Sequence, residues 1–414
     1  KERYTMDRRS FSKLMALLAI SPSGSLGSVG SVGKKDKIVV VGAGIVGASI
    51  AYHLAKMGAD VTVIERDRPA AHASGRSFSW LHASYPTKPY SFHHLLRLSL
   101  LAYHKLETEI GFDIHWGGSF EWPASKNNQD ILAKEVALIQ SYDVPVHMIS
   151  GEQAQALEPN VKFDKDASMA YSKLDGAVDT VDVVNKFLKK TIDLGGQVRY
   201  PVTYENVKVE GGKVVAVRTS TGEIEADRVV FACGVDTDEL LKIDVLKPSK
   251  PEVILRTQPM ERVIDRVIVF PSFHIHQQSD GAVIIGASNV TVENPIGHLT
   301  GAPKSHVDRL ALKPETFPNA ELAKEHAERI LAIAQQFIPQ LKAVDLNEVV
   351  IGWIPSPRGG DPVVGHFKNI PGAYLATTPS GIALAPIIGE LAAMEIMSGR
   401  QSDFLADFRP DRFI

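Results

Sequence analysis

Apolar positions follow two different spacings along the chain, and the first clear pattern lies in residues 37–66. The β-branched run 38–41 predicts a buried strand, and residues 48–57 carry apolar side chains at helical spacing. A second apolar run at 61–64 follows Gly58, which is placed to end the helix. The segment is therefore predicted to be a βαβ unit with a right-handed crossover.

Similar α/β blocks alternate further along with a segment whose apolar residues recur at every second position. A helix at 181–194 and an apolar strand at 228–232 belong to a second α/β block, and a strand at 373–376 runs into an apolar helix at 382–397. Residues 251–287 alternate as antiparallel strands do. The pattern predicts two domains, each built from discontinuous segments of the chain.

A glycine motif directly follows the first predicted strand, where residues 42–47 read Gly-Ala-Gly-Ile-Val-Gly. Gly42 permits the tight turn, Gly44 lets backbone approach a pyrophosphate, and Gly47 lets the helix pack on the strand. The N-terminus of that helix offers free N–H groups to phosphates. Glu65 ends the second strand, where a carboxylate accepts hydrogen bonds from adenosine ribose hydroxyls. The motif in this context predicts a dinucleotide site.

Two further segments favour FAD over NAD as the dinucleotide. Residues 73–80 read Ala-Ser-Gly-Arg-Ser-Phe-Ser-Trp, a loop whose amides and hydroxyls can donate hydrogen bonds to a pyrophosphate and a flavin edge. Residues 377–386 predict a strand, a glycine turn and a helix N-terminus that can stabilise anionic reduced flavin. An NAD enzyme has no need to return its last helix to the nucleotide.

With these residues the chain resembles the D-amino-acid oxidase superfamily of FAD-dependent oxidoreductases, which includes glycine oxidase, sarcosine oxidase and dimethylglycine dehydrogenase. The resemblance covers roughly residues 37–400. Its parts are the glycine motif with Glu65-Arg66, the loop Ser74-Gly75-Arg76-Ser77, the block ending Cys233-Gly234, the segment 361–365 and the Gly381 turn. The implied fold class is α/β, with a Rossmann-type FAD-binding domain (glutathione-reductase-like) and a second α+β domain built on a large antiparallel sheet.

The expected domain boundaries follow from the resemblance and the pattern. The FAD-binding domain is expected to take residues 34–115, 151–240 and 346–414. The substrate domain is expected to take residues 116–150 and 241–345.

The FAD contacts are expected in the segments that carry the resemblance. Tyr204 is expected to contact the adenine through its backbone, and Cys233-Gly234 to lie beside the adenosine. That position makes Cys233 a poor attachment point, so FAD is expected to bind without a covalent link, although His82 remains an alternative. The predicted cofactor-binding residues are Gly42, Gly44, Ile45, Val46, Gly47, Glu65, Arg66, Ser74, Gly75, Arg76, Ser77, Tyr204, Cys233, Gly234, Ser380, Gly381, Ile382 and Ala383.

The resemblance implies oxidation of a C–N bond of an amine or amino acid, with hydride transfer to flavin N5. The partners are a small-molecule substrate and either oxygen or a quinone as electron acceptor. Two alternatives stay open: an FAD-dependent 2-hydroxy acid dehydrogenase and a non-catalytic flavin-binding protein. Fold analogy does not choose among them.

The substrate carboxylate lacks its usual partner in this sequence. Amino-acid-oxidising relatives carry an arginine at the position of Ile354, next to Trp353, and that arginine clamps the carboxylate bidentately. Either Arg358 takes over from a shifted loop, or the substrate has no α-carboxylate there. Arg358 and Trp353 are therefore the candidate substrate-binding residues.

Three histidines are candidate catalytic residues. His82 follows the flavin loop, and His274 and His276 alternate on one strand and so share a face. A neutral histidine can take a proton from a substrate ammonium. Each of them can equally be a hydrogen-bonded structural residue. The histidines are scattered without ligand spacing, so no metal site is expected.

Composition restricts partners and compartment. Apolar residues make up 44%, charged residues 22%, and the net charge is −3, so neither nucleic acid nor anionic lipid is an expected partner. No apolar run is long enough for a membrane span, and an oligomeric state is not indicated. Residues 6–13 carry Arg8-Arg9, then Phe11 and Lys13, before a short apolar stretch. Residues 1–33 are therefore expected to be a twin-arginine (Tat) export signal to the periplasm, or a flexible tail of a cytoplasmic protein.

Overall fold

The computed structural model describes residues 35–84, 89–123, 125–247, 251–287, 315–317 and 319–413, and the expected export segment 1–33 lies outside them. The strands in chain order are β1 Lys37–Val41, β2 Asp60–Ile64, β3 Trp80–Leu81, β4 Ile114–His115, β5 Ser119–Glu121, β6 Val146–Ser150, β7 Ser168–Ser172, β8 Gly176–Val178, β9 Gln197–Arg199, β10 Tyr204–Glu210, β11 Lys213–Thr219, β12 Gly222–Glu225, β13 Arg228–Phe231, β14 Pro251–Thr257, β15 Val267–Val269, β16 His274–Gln277, β17 Val283–Ala287, β18 Leu346–Trp353, β19 Val363–His366 and β20 Ala373–Thr377. The described helices are α1 Ile45–Lys56, α2 Tyr90–Ile110, α3 Lys126–Gln140, α4 Gly151–Leu157, α5 Thr180–Asp193, α6 Thr237–Leu241, α7 Ala320–Phe337 and α8 Gly381–Ser398.

The first sheet has the order β19-β20-β13-β1-β2-β9 and is parallel except at β19. Its central strands are buried on both faces, which explains their continuous apolar sequence. Helices α1, α5 and α8 pack together on one face, and α8 crosses α1 where Gly389 lies against Ser49. This is the predicted Rossmann-type layer, and it aims the N-termini of α1 and α8 at the same sheet edge.

The second sheet has the order β18-β14-β17-β16-β15-β5-β7-β6 and is antiparallel except for the β15–β5 pair. One face is apolar and packs against α7 through residues such as Leu255, Ile275 and Ile285. The opposite face packs against Phe78 of the loop after β2. Alternate residues of each strand therefore divide between an apolar core and the first domain.

Strand pairing places two segments differently from the expected boundaries. Strand β7 lies within 151–240, which was assigned to the FAD-binding domain, yet it pairs with β5 and β6 in the second sheet. Strand β18 lies within 346–414 and pairs with β14. Neither strand's own sequence specifies which sheet it joins, because sheet membership is fixed by long-range pairing.

Helix α8 is the one helix of the described chain that is long and apolar enough to cross a membrane, by length and composition only. Two thirds of it is buried within the protein, against α1 and α2. Apolar residues all round a helix are typical of a core helix.

Candidate functional site

A cavity of about 690 Å³ runs from the edge of the first sheet to the second sheet. It lies between the turn after β1, the loop after β2, the ends of β13 and β18, and the N-terminus of α8. The predicted cofactor-binding residues that line it are Gly42, Gly44, Ile45, Val46, Glu65, Arg66, Ser74, Arg76, Ser77, Tyr204, Cys233, Gly234, Ser380, Gly381, Ile382 and Ala383. Gly47 and Gly75 lie behind this lining, where a Cβ at either position would collide with a backbone carbonyl oxygen.

The glycine turn is built so that backbone can approach a ligand. Gly42 has φ of +104°, and a Cβ there would lie 2.5 Å from the Ala232 carbonyl oxygen. At Gly44 the nearest atom to an added Cβ is the Ser74 hydroxyl oxygen at 3.2 Å, so the other side of this residue is open. Ser74 also accepts a hydrogen bond from the Ile45 N–H (3.0 Å). The serine thus joins the loop after β2 to the first turn of α1.

The Glu65 carboxylate is held at the end of β2. One oxygen accepts from the Ala43 N–H (2.9 Å) and the other from the Asp67 N–H (3.0 Å). A carboxylate has about four lone-pair positions, so acceptor capacity remains for ribose hydroxyls. Glu65, Asp67 and His72 bring ligand atoms within 4.8 Å of one another. The Asp67 N–H bond to Glu65 and the pairing of His72 with Asp67 (2.8 Å) hold these three groups together.

Cys233 and Tyr204 define one end of the cavity. Burial raises the pKa of the Cys233 thiol, whose sulfur lies 3.7 Å from the Val41 carbonyl oxygen. A protonated thiol is a poor nucleophile, in keeping with FAD held without a covalent link. Nearby, the Arg66 guanidinium pairs with Asp236 (3.0 Å) at the same end.

The start of α8 supplies donors to the cavity. Ser380 makes no side-chain capping bond, so the first N–H groups of the helix remain available to an acceptor. Thr377 carries a buried hydroxyl that has no hydrogen-bond partner among the described residues. These features fit FAD. The accessible backbone at Gly44 suits its pyrophosphate, the Glu65 carboxylate suits its ribose hydroxyls, and the free N–H groups of α8 suit the acceptor atoms of its flavin ring.

The second sheet supplies the other end of the cavity. His274 Nε2 pairs with Glu252 Oε1, and both side chains line the cavity. The Phe78 ring packs edge-on against the His274 imidazole at 4.1 Å between centroids. Trp353, a candidate substrate-binding residue, also lines the cavity at this end.

The other two candidate histidines are neutral at pH 7. His82 lines the cavity and its ring lies tilted against Trp80, with 4.4 Å between centroids, and burial lowers the pKa of its imidazole to about 4. His276 lies on the same sheet face as His274 but does not line the cavity, because its Nε2 bonds the Phe78 carbonyl oxygen (2.7 Å). Burial lowers the pKa of His276 to about 4 as well. His274 and His276 therefore share a strand face, but of the two only His274 lines the cavity.

Arg358 is outside the cavity, which corrects its candidacy as a substrate ligand. Its guanidinium pairs with Asp244 and is 45% exposed. The Arg358 N–H donates to the Val245 carbonyl oxygen, and this bond holds the loop against the chain that follows α6. Arg358 is close to Trp353 in sequence, but the loop turns away from the cavity within four residues, so this closeness did not indicate where Arg358 lies.

Glu252 is a cavity residue that the sequence analysis did not single out. The sequence does contain an indication of its role, because Glu252 is a carboxylate within the apolar run Pro251-Glu252-Val253-Ile254-Leu255. Val253 and Leu255 face the core, so Glu252 lies on the opposite face of the strand.

A family model described as FAD dependent oxidoreductase matches residues 37–394, and the chain belongs to this family. The family confirms the predicted resemblance, the FAD cofactor and the assignment as an oxidoreductase.

Among characterised relatives, glycine oxidase of Bacillus licheniformis is 25% identical, with 92% of this chain and 98% of that protein aligned. Mitochondrial dimethylglycine dehydrogenase of Mus musculus is 24% identical, with 92% of this chain aligned. The chain spans 44% of the length of that dehydrogenase.

Solved structures confirm the fold. Glycine oxidase from Geobacillus kaustophilus superposes with a TM-score of 0.77 at 18% identity, covering 92% of this chain and all of that one. The L-proline dehydrogenase from P. horikoshii gives a TM-score of 0.75 at 22% identity, covering 92% of this chain and 98% of that one.

Proposed function

We propose that this protein oxidises a C–N bond of an amine or amino acid, with FAD as the hydride acceptor. The observation that carries the proposal is the continuous cavity. It joins the dinucleotide turn at Gly44 to the Glu252–His274 pair on the second sheet. A substrate at that pair would lie within the same cavity as the N-terminus of α8. The amine- and amino-acid-oxidising relatives support this reaction class.

FAD supplies the electron-pair acceptor, and the residues of the chain bind, orient and move protons. Glu65 and the N-terminus of α1 would hold the adenosine and pyrophosphate of bound FAD, and the N-terminus of α8 would offer N–H groups to its ring. His274 pairs through Nε2 with the Glu252 carboxylate and fixes its position at the substrate end of the cavity.

The experiment that tests the proposal is anaerobic mixing of the purified holoenzyme with single substrates. The panel holds primary, secondary and N-methyl amines, amino acids and 2-hydroxy acids, and the flavin absorbance reports reduction. Bleaching by amines or amino acids supports the proposal. Bleaching by 2-hydroxy acids alone contradicts it.

We also propose that oxygen or a quinone accepts the electrons and that the protein is exported by the twin-arginine route. Arg8-Arg9 followed by Phe11 and a short apolar stretch supports the export signal. Reoxidation of the reduced enzyme in air-saturated buffer, compared with reoxidation by a soluble quinone under nitrogen, identifies the acceptor.

A further inference from the structure

Ionised side chains are unevenly distributed along the cavity. Arg66 and Arg76 are the arginines among its described lining residues, and His72, which pairs with Glu315 (2.8 Å), lies among them as well. Arg66 pairs with Asp236, beside Cys233 at the adenosine end. Arg76 donates to the Ala71 carbonyl oxygen (2.9 Å) and lies 3.4 Å from a carboxylate oxygen of Glu315. Both arginines therefore have a carboxylate partner, Asp236 for Arg66 and Glu315 for Arg76.

At the second sheet the described lining carries a carboxylate instead. Glu252 stands between apolar and aromatic walls that include Phe78, Trp353 and Ile354. Its Oε1 contacts His274, and its Oε2 has no hydrogen-bond partner among the described residues. A substrate carboxylate placed here would be desolvated beside a like charge, whereas an ammonium would find an acceptor.

The Glu252–His274 pair is supported by its surroundings. Gly286 lies opposite His274 on β17, and a Cβ there would overlap the imidazole and lie 3.0 Å from Glu252 Oε1. The backbone of Gly286 does not need a glycine, so the missing side chain makes room for the pair. Phe78 packs against the other side of the imidazole. The carboxylate is therefore held in place on the substrate-facing side of the sheet.

We infer that Glu252 binds the protonated nitrogen of the substrate and selects amines that carry no carboxylate beside the reacting carbon. The inference rests on the proposed C–N oxidation and names its substrate class. The ammonium donates an N–H to Glu252 Oε2. Its proton then passes along this hydrogen bond to the Glu252 carboxylate, which leaves the substrate nitrogen neutral. FAD, when bound, would accept a hydride from the carbon next to that nitrogen, so that C–N becomes C=N and the two electrons are held by the cofactor.

Binding is tested with the holoenzyme and two ligands that it cannot oxidise. Benzamidinium and benzoate have the same size and opposite charge, and neither has a hydrogen on a carbon beside nitrogen. Titration calorimetry and the flavin absorbance spectrum give both dissociation constants. We expect benzamidinium to bind at least about tenfold more tightly than benzoate, a modest charge discrimination for a site of this kind.

Variants separate recognition from structure. Glu252→Gln keeps the shape and removes the charge, and it should raise the benzamidinium dissociation constant about tenfold or more. Gly286→Ala should weaken binding in the same direction by displacing the pair. Glu348→Gln removes an exposed carboxylate of the same sheet and should change neither constant. FAD content and melting temperature verify that each variant is folded.

The relative rates of flavin reduction by two substrates give a second test of the role of Glu252. Benzylamine and phenylglycine differ by one carboxylate, and benzylamine should reduce the flavin faster in the unmodified enzyme. In Glu252→Gln this preference should fall or reverse. Tighter binding of benzoate than of benzamidinium, or an unchanged benzamidinium constant in Glu252→Gln, would overturn the inference. If no panel compound bleaches the flavin, the proposed reaction fails, and the benzamidinium titration still decides the recognition site.

Discussion

At the scale of single residues, the two ends of the cavity depend on carboxylates with different partners. Glu65 accepts hydrogen bonds from two backbone N–H groups, while one oxygen of Glu252 pairs with the His274 imidazole. A carboxylate bound by backbone donors is fixed in position, and a carboxylate with an open oxygen can receive a ligand. We therefore propose that Glu65 serves the cofactor and Glu252 the substrate.

Replacing Glu65 tests the cofactor end. Glu65→Ala should weaken FAD binding by roughly 1 to 3 kcal/mol, the cost of losing hydrogen bonds to a charged group. The dissociation constant comes from the fluorescence of FAD released on dilution. Glu328→Ala, on the exposed side of α7, is the control and should leave FAD affinity unchanged. Equal affinity in Glu65→Ala and the unmodified protein would contradict the assignment.

His276 predicts a pH dependence of stability. Its pKa is about 4 when folded because burial disfavours the charged form, against about 6.5 in the unfolded chain. Above pH 6.5 both states are neutral, so the histidine has no effect on stability there. As the pH falls from 6.5 to 4 the unfolded state binds the proton first, and the free energy of unfolding should fall by up to about 3 kcal/mol.

His276→Gln keeps a donor for the Phe78 carbonyl and does not titrate. Urea unfolding at pH 7 and pH 4.5 should show a smaller acid loss in this variant than in the unmodified protein. His147→Gln, at an exposed position of β6, should lose as much stability as the unmodified protein. An identical acid loss in His276→Gln would show that this imidazole is not the group responsible.

At the scale of elements, the position of the α8 N-terminus depends on how closely α8 packs on α1. Gly389 permits this approach, because a Cβ there would overlap the Ser49 side chain. The contact lies two turns from Gly381, so a displaced crossing would move the donors at the start of the helix.

Gly389→Ala should therefore destabilise the fold by about 1 to 3 kcal/mol through overpacking and should lower FAD affinity. Urea unfolding and FAD titration measure the two effects. Met394→Ala, an exposed side chain on the same helix, should change neither. A Gly389→Ala protein as stable as the unmodified one would show that the helices can separate without cost.

The sequence predicted those features that a few neighbouring residues specify. The glycine turn, Glu65 and the α8 turn are each specified within a few residues, and all were predicted from spacing or resemblance. Sheet membership of β7 and β18 was not, because it depends on partners far away in the chain. The same reason applies to the cavity wall: the contact of Glu252 with His274 joins two strands that are not neighbours in the sheet, and β17 lies between them.

At the scale of the whole molecule, the cavity is formed where the two sheets face each other. The flavin loop contributes Phe78 to the second sheet, and the second sheet contributes His274 to the cavity. Binding of FAD to the folded state alone therefore stabilises both sheets by mass action.

The expected export segment, residues 1–33, precedes the compact unit Asp36–Ile414 in the sequence. Asp36–Ile414 make their own contacts, and the FAD-binding turn begins within that unit. A chain that starts at Lys34 should therefore retain FAD and melt at the same temperature as the full chain. If residues 1–33 are an export signal, replacing Arg8 and Arg9 by lysine should stop export while leaving FAD content unchanged, because a transport receptor reads the arginine pair. Fractionation of cells that express each chain, with a flavin assay of each fraction, gives the result. Export of the lysine variant at the unmodified level would contradict the export signal, and loss of FAD from the chain that starts at Lys34 would show that the segment contributes to the fold.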